Sequence, residues 1–171
     1  QLSYGPQGDD PAGFPTIEAR VPGNVELDLM NAGVLPDLAV ADNIYLLRRY
    51  EGYQWWYRRS FTAPALALGE RLELVFEGLD CIGTVWVNGQ LVGEPRNMLI
   101  PHRFDVTELL RTGDENKVVV RLDSAVLEGR RHEPAMVEGA IAANWESLAV
   151  RKAAHMYGWD IMPRIVSAGL W

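Results

Sequence analysis

The chain has 171 residues, 48% of them hydrophobic and 23% charged, a length and balance that fit one globular domain and argue against extended disorder. Sixteen Lys and Arg against 23 Asp and Glu leave a net charge of −7, which argues against nucleic acid as a partner because phosphate binding needs clustered basic side chains. No apolar run approaches the roughly 18 residues of a membrane span, so no membrane partner is expected, and Cys81 stands alone, without a disulfide or a Cys-rich zinc site.

Taken in chain order, Ile17 to Val21 is a weak strand candidate. Asn24 is placed to cap a short helix with Val25, Leu29 and Ala32 on one face, while Glu26 and Asp28 suit the positive end of its dipole. Gly33 and Pro36 stop that helix. Tyr53 to Thr62 reads as a strand, which puts Trp55 and Trp56 on opposite faces, one in the core and the other beneath a loop or partner. Leu72, Leu74 and Phe76 alternate with Arg71, Glu73 and Glu77, as a half-buried strand requires. Asn88-Gly89 between apolar flanks predicts a hairpin, because a type I′ turn needs positive φ at both central positions. Leu99 to Val106 is a weaker strand interrupted by Pro101, and Val118, Val120 and Leu122 mark a last clear one. Beyond Val126, Gly129, Pro134 and Gly139 break the pattern into loop; Ile141, Trp145, Leu148 and Lys152 have helical spacing, which predicts a helical turn near Trp145 to Ala149. Several short strands and one convincing helix mean an all-β sandwich or barrel.

The chemistry-bearing residues give little sign of catalysis within the chain. A glycosidase needs two carboxyls about 5–5.5 Å apart to retain configuration and about 6.5–9.5 Å to invert it. Of the thirteen glutamates, Glu73, Glu77, Glu115, Glu128 and Glu133 fall in polar strand faces or turns, where solvated surface charge explains them. His102, His132 and His155 lack metal spacing, and no metal or other cofactor is expected. Six Trp and six Tyr are many for one domain, and half of them cluster at Tyr53–Tyr57 and Tyr157–Trp159. Aromatic faces stack on sugars and carboxylates accept their hydroxyls, so Gly158-Trp159-Asp160 has the makings of a sugar contact. The same residues also suit a Trp that plugs the end of the sandwich beside an Asp that caps a turn.

The stretches Val21-Pro22-Gly23-Asn24-Val25-Glu26-Leu27-Asp28-Leu29 and Trp55-Trp56-Tyr57-Arg58-Arg59-Ser60-Phe61 resemble the opening of a glycoside hydrolase family 2 protein. Val75-Phe76-Glu77-Gly78-Leu79-Asp80, Val85 to Gly93, and Phe104-Asp105-Val106-Thr107 continue the likeness. Arg151-Lys152-Ala153, Tyr157-Gly158-Trp159-Asp160, Pro163-Arg164 and Ser167 to Trp171 are most similar to the β-mannosidase branch. The resemblance implies an N-terminal sugar-binding domain spanning 1–171, with a jelly-roll, galactose-binding-like β-sandwich and one short helix near its start. It also implies downstream immunoglobulin-like and TIM-barrel domains, the barrel holding both catalytic glutamates of a retaining mechanism. The chain by itself is then inactive. Its partners are the barrel of its own polypeptide and the terminal sugar of a β-glycoside.

By the same resemblance, Asp160 contacts that sugar's hydroxyls with Trp159 beside it, and Asn43 matches a second, shorter contact motif. Ile161-Met162 replaces the Trp-Gly that β-mannosidases carry after Gly-Trp-Asp, which removes a stacking ring. Both ends of the chain read as cut: a first strand lacks its start and a last one is missing. A free-standing carbohydrate-binding module and a purely structural domain that packs on a barrel remain as alternatives.

Overall fold

The computed structural model describes residues 1–132 and 145–171. A six-stranded antiparallel sheet runs in the order β2 (Thr16–Ile17), β1 (Leu2–Pro6), β4 (Tyr53–Thr62), β10 (Glu115–Asp123), β7 (Ile82–Val87), β8 (Gln90–Gly93). The opposing layer is split into β3 (Gly23–Asn24), β11 (Gly169–Leu170) and β6 (Leu79–Asp80) on one side, and β5 (Glu73–Phe76) paired with β9 (His102–Asp105) on the other. The expected jelly-roll sandwich is therefore the fold.

The period-2 patterns explain the layers. Leu2, Tyr57, Val120 and Val85 pair across four adjacent strands as one row and are all buried. They share a core with Phe76, Leu79 and Leu170 of the opposing layer, with Leu74 and Val118 packed against it. Trp55 is buried in this core, as its alternation requires. Trp56 takes the outer face and is half-buried. Its ring stacks on Trp86, with centroids 5.6 Å apart and planes 9° from parallel, and the guanidiniums of Arg58 and Arg121 lie beside it.

The two weak strand candidates are shorter than expected. Only Thr16–Ile17 pairs with β1, because the Arg20 N–H is spent on the Asp28 carboxylate at 3.0 Å. Only His102–Asp105 pairs with β5, since Pro101 has no N–H to donate to a ladder. The helix α1 (Val25–Asn31) is capped as predicted, Asn24 Oδ1 accepting from Leu27 N at 3.0 Å, and Gly33 follows it at φ +71°.

It is not the only short helix. α2 (Ala125–Gly129) is capped by Ser124, and 3-10 segments cover Asn43–Tyr50, Trp145–Leu148 and Ala154–Tyr157. α2 is too short for a 3.6-residue pattern to show, although the Ser124 cap is visible in the sequence. Trp145–Leu148 matches the predicted turn; Ile141, Glu133, Pro134 and Gly139 lie outside the described residues.

Asn88 and Gly89 have φ of +49° and +83°, the signature of the predicted type I′ hairpin. A Cβ on Gly89 would meet nothing within 4 Å, so backbone strain alone sets the effect of a side chain there. Gly89→Val should cost about 1 kcal/mol or more. A urea melt checks this, and an unchanged midpoint would show that the turn contributes nothing to stability.

Candidate functional site

One end of the sandwich gathers the segments that the sequence singles out. α1, the stretch 37–44 and the stretch 155–167 enclose a cleft of about 690 Å³ lined largely by apolar side chains, among them Leu27, Met30, Ile44, Met156 and Met162. Glu26, His155 and Ser167 supply polar atoms on its walls.

The 155–167 stretch reaches the cleft because buried charges hold it at each end. Lys152, with a fully buried side chain, donates to Asp80 Oδ2 and, at 2.7 Å, to the Ser167 carbonyl. The Ser167 hydroxyl in turn donates to Glu26 Oε2 at 2.5 Å. At the far end Arg164 forks onto Glu51, with Nε to Oε1 at 2.7 Å and Nη2 to Oε2 at 3.0 Å, and also reaches Glu146 Oε1 at 3.5 Å. Tyr157 is completely buried, with the Arg164 guanidinium 5.3 Å from its ring centre. Ile165 N donates to Met156 O at 2.9 Å and closes a neck beneath residues 157–164.

From this neck a turn projects. Met162 N donates to Trp159 O at 2.8 Å, and Asp160 sits at φ +52°, a left-handed geometry that Asp tolerates better than most residues. Trp159 is 72% exposed and Ile161 92%, and Asp160 is also exposed. Tyr157, not Trp159, therefore plugs this end of the sandwich. The Asp160 carboxylate accepts no hydrogen bond from the described residues, so it caps no turn through its side chain.

Asn43 begins the 3-10 segment Asn43–Tyr50 on another edge of the same cleft. Its Nδ2 donates to Asp37 O at 2.8 Å, so its amide nitrogen is already engaged in closing its own loop. Asn43, Trp159 and Asp160 do not themselves line the cleft, but their neighbours Ile44 and Met162 do. The structure thus brings the two predicted contact segments to one cleft, with Trp159 and Asp160 on a shared turn.

His102 and Cys81 are engaged away from the cleft. His102 Nε2 bonds the Asn97 carbonyl at 2.7 Å. Burial pushes the Cys81 thiol up to about 12, where thiolate chemistry is suppressed. Among the described residues no three His, Cys, Asp or Glu side chains gather as a metal site, and no helix is long and apolar enough to cross a membrane.

Glu26 and Asp28 stand in the first helical turn, as the sequence reading has them, and both are buried, which residue order left open. Sequence reasoning also missed the pairing of Lys152 and Arg164 with acids 72 and 113 residues away, at Asp80 and Glu51. No local pattern encodes such partners.

A family model described as glycosyl hydrolase 2 galactose-binding domain-like matches residues 6–171, and the chain belongs to that family. A β-mannosidase B of Thermothelomyces thermophilus is 36% identical over 168 residues, which is 96% of this chain and 20% of that protein. A β-mannosidase B of Emericella nidulans is 34% identical over 154 residues, covering 88% of this chain and 18% of its own length. The crystal structure of a β-D-mannosidase from Dictyoglomus thermophilum superposes with a TM-score of 0.81 at 32% identity, covering 98% of this chain and 20% of that one. The chain is a glycosyl hydrolase 2 galactose-binding-like domain similar to part of these β-mannosidases, and it spans about a fifth of their length.

The buried acids on the cleft wall make a pH prediction. Burial holds the Glu26 carboxyl above its usual range, with the Ser167 hydroxyl pulling back only in part. A raised folded-state pKa means that the folded protein binds the proton more tightly than the unfolded chain. The stability this lends is present below the unfolded value of about 4.3 and is lost as pH rises through the folded one. Glu26→Gln keeps an acceptor for Ser167 and removes that loss. Its melting temperature should therefore gain on the parent as pH rises from 5 to 8. A gap that stays constant or narrows would contradict the raised Glu26.

Proposed function

We propose that this chain is the N-terminal sugar-binding domain of a retaining, β-mannosidase-type glycosidase, and that its Trp159–Asp160 turn completes the terminal-sugar subsite of a catalytic barrel in the same polypeptide. One observation carries the reading: an exposed indole and a carboxylate that accepts no hydrogen bond from the described residues project together from a neck anchored by buried ion pairs. An indole face stacks on a pyranose, and a carboxylate can accept two sugar hydroxyls through charge-assisted hydrogen bonds of roughly 1.5–3 kcal/mol each. The acid/base and nucleophile glutamates lie in the barrel under this reading, and the chain by itself does not turn over substrate. With Ile161 and Met162 where the branch carries a second aromatic, sugar selectivity falls more heavily on Asp160.

Asp160→Ala in the complete enzyme should lower kcat/KM for p-nitrophenyl β-mannoside about tenfold to several hundredfold, one to two hydrogen bonds' worth of transition-state stabilisation. The melting temperature should hardly move, because an exposed turn residue supports little packing. Unchanged kinetics in a folded, active enzyme would overturn the substrate contact and favour a domain that only packs on the barrel. Millimolar or tighter sugar binding by the 171-residue chain alone would favour a free-standing binding module instead.

A further inference from the structure

We propose that Arg164 is a positioning residue that holds both sugar-facing segments in one fixed relation, a role that rests on the sugar-contact reading above. The turn carrying Trp159 and Asp160 is closed on itself by the Met162 N to Trp159 O bond, which shapes it without setting its direction from the sandwich. Between Tyr157 and Arg164 the chain is irregular, and residues 159–163 are exposed. What orients it is the neck. There the Arg164 guanidinium lies over the buried Tyr157 ring, and the Met156–Ile165 backbone bond closes the excursion.

The fork of Arg164 lands on Glu51, and Glu51 is a fixed point. It is the C-terminal cap of the 3-10 segment Asn43–Tyr50, its N–H donating to Arg48 O, and its carbonyl accepts the Ser124 hydroxyl at the start of α2. One bidentate ion pair therefore joins the segment that begins with Asn43 to the loop that presents Asp160. Two parallel hydrogen bonds between planar groups fix orientation as well as distance, which a single-point lysine contact cannot do. Arg164 itself is buried beneath the turn and is not placed to touch substrate.

The test uses the complete glycosidase with p-nitrophenyl β-mannoside, comparing R164Q, R164K, E51Q, D160A and the double variant R164Q/D160A. Loosening the neck should raise KM and lower kcat/KM about tenfold to a hundredfold, the scale of a small misplacement of a contact group. R164K keeps the charge without the fork and should recover only part. E51Q, nearly isosteric, should reproduce the R164Q defect even where R164Q folds poorly. Because Arg164 acts through the turn that carries Asp160, the R164Q/D160A defect should be smaller than the product of the two single defects. Independently of activity, chymotryptic cleavage after Trp159, read by mass spectrometry, should quicken in R164Q and E51Q.

A purely stabilising role predicts otherwise: a lower melting temperature and less active enzyme at unchanged KM, and that result overturns the proposal. So do R164Q and D160A defects that multiply independently, or E51Q and R164K both matching the parent. If D160A itself is without effect, the sugar-contact reading fails and this role falls with it. If D160A is impaired while the Arg164 and Glu51 variants are normal, only the positioning role fails.

Discussion

The buried ion pair between Lys152 and Asp80 is the constraint on which the functional end of this domain depends. With no exposed side-chain surface, the Lys152 ammonium would be intolerable there without its partner. It is satisfied by a carboxylate on β6 and by the Ser167 carbonyl, and Ser167 passes the connection on to Glu26 of α1. Desolvation of two such charges offsets much of their attraction, so the pair is a weak source of net stability. Removing either partner alone is another matter, because a charge is then stranded in the interior. What survives this cancellation is position: the C-terminal stretch can pack in one place only, across β6 and against α1. Burial still pushes the Asp80 carboxyl above its ordinary range, with Lys152 drawing it back, so desolvation remains the larger influence at this pair.

A second buried set completes the frame. Arg164, Glu51 and Glu146 meet at the opposite end of the same stretch, and Arg130 adds a hydrogen bond to Glu146 at 3.1 Å. Burial would raise the Glu146 carboxyl, but its backbone hydrogen bond and the two guanidiniums outweigh it and hold the group below the usual glutamate range. Between these anchors the turn stands exposed, with Trp159 and Ile161 as well as Asp160 open to solvent. The strand scaffold supplies rigidity, and the loops at one end are the more exposed part. The apolar cleft beneath the turn, rich in methionine, gives that end a surface able to adapt to what covers it.

Much of the scaffold was legible from residue order. Alternation at Leu72–Phe76 and Val118–Leu122 is a direct imprint of side chains projecting to opposite faces, and Asn88-Gly89 reads as a turn because few other residues accept its dihedrals. The Asn24 cap is equally local, a side chain three residues from the N–H it accepts. Ile44, Leu47 and Tyr50 sit at the three-residue spacing of the 3-10 segment they occupy, a signal present but short enough to pass unread. The family, too, was legible, because its motifs fall in order along nearly the whole chain.

The site was only half visible for a physical reason. Trp159 and Asp160 stand together in the sequence, so a contact motif can be recognised; whether the indole faces solvent or plugs the core depends on Tyr157, which took the buried place. Glu26 and Asp28 read as acids suited to the helix dipole, and they are, but nothing nearby in sequence says that they are buried or that Glu26 meets the Ser167 hydroxyl. Sequence by itself determined what lies within a few residues: strand faces, caps, turns and the Gly158-Trp159-Asp160 motif. Tertiary structure alone decided which charges meet across 72 and 113 residues, because Coulomb attraction and desolvation act through space and leave no period in the chain.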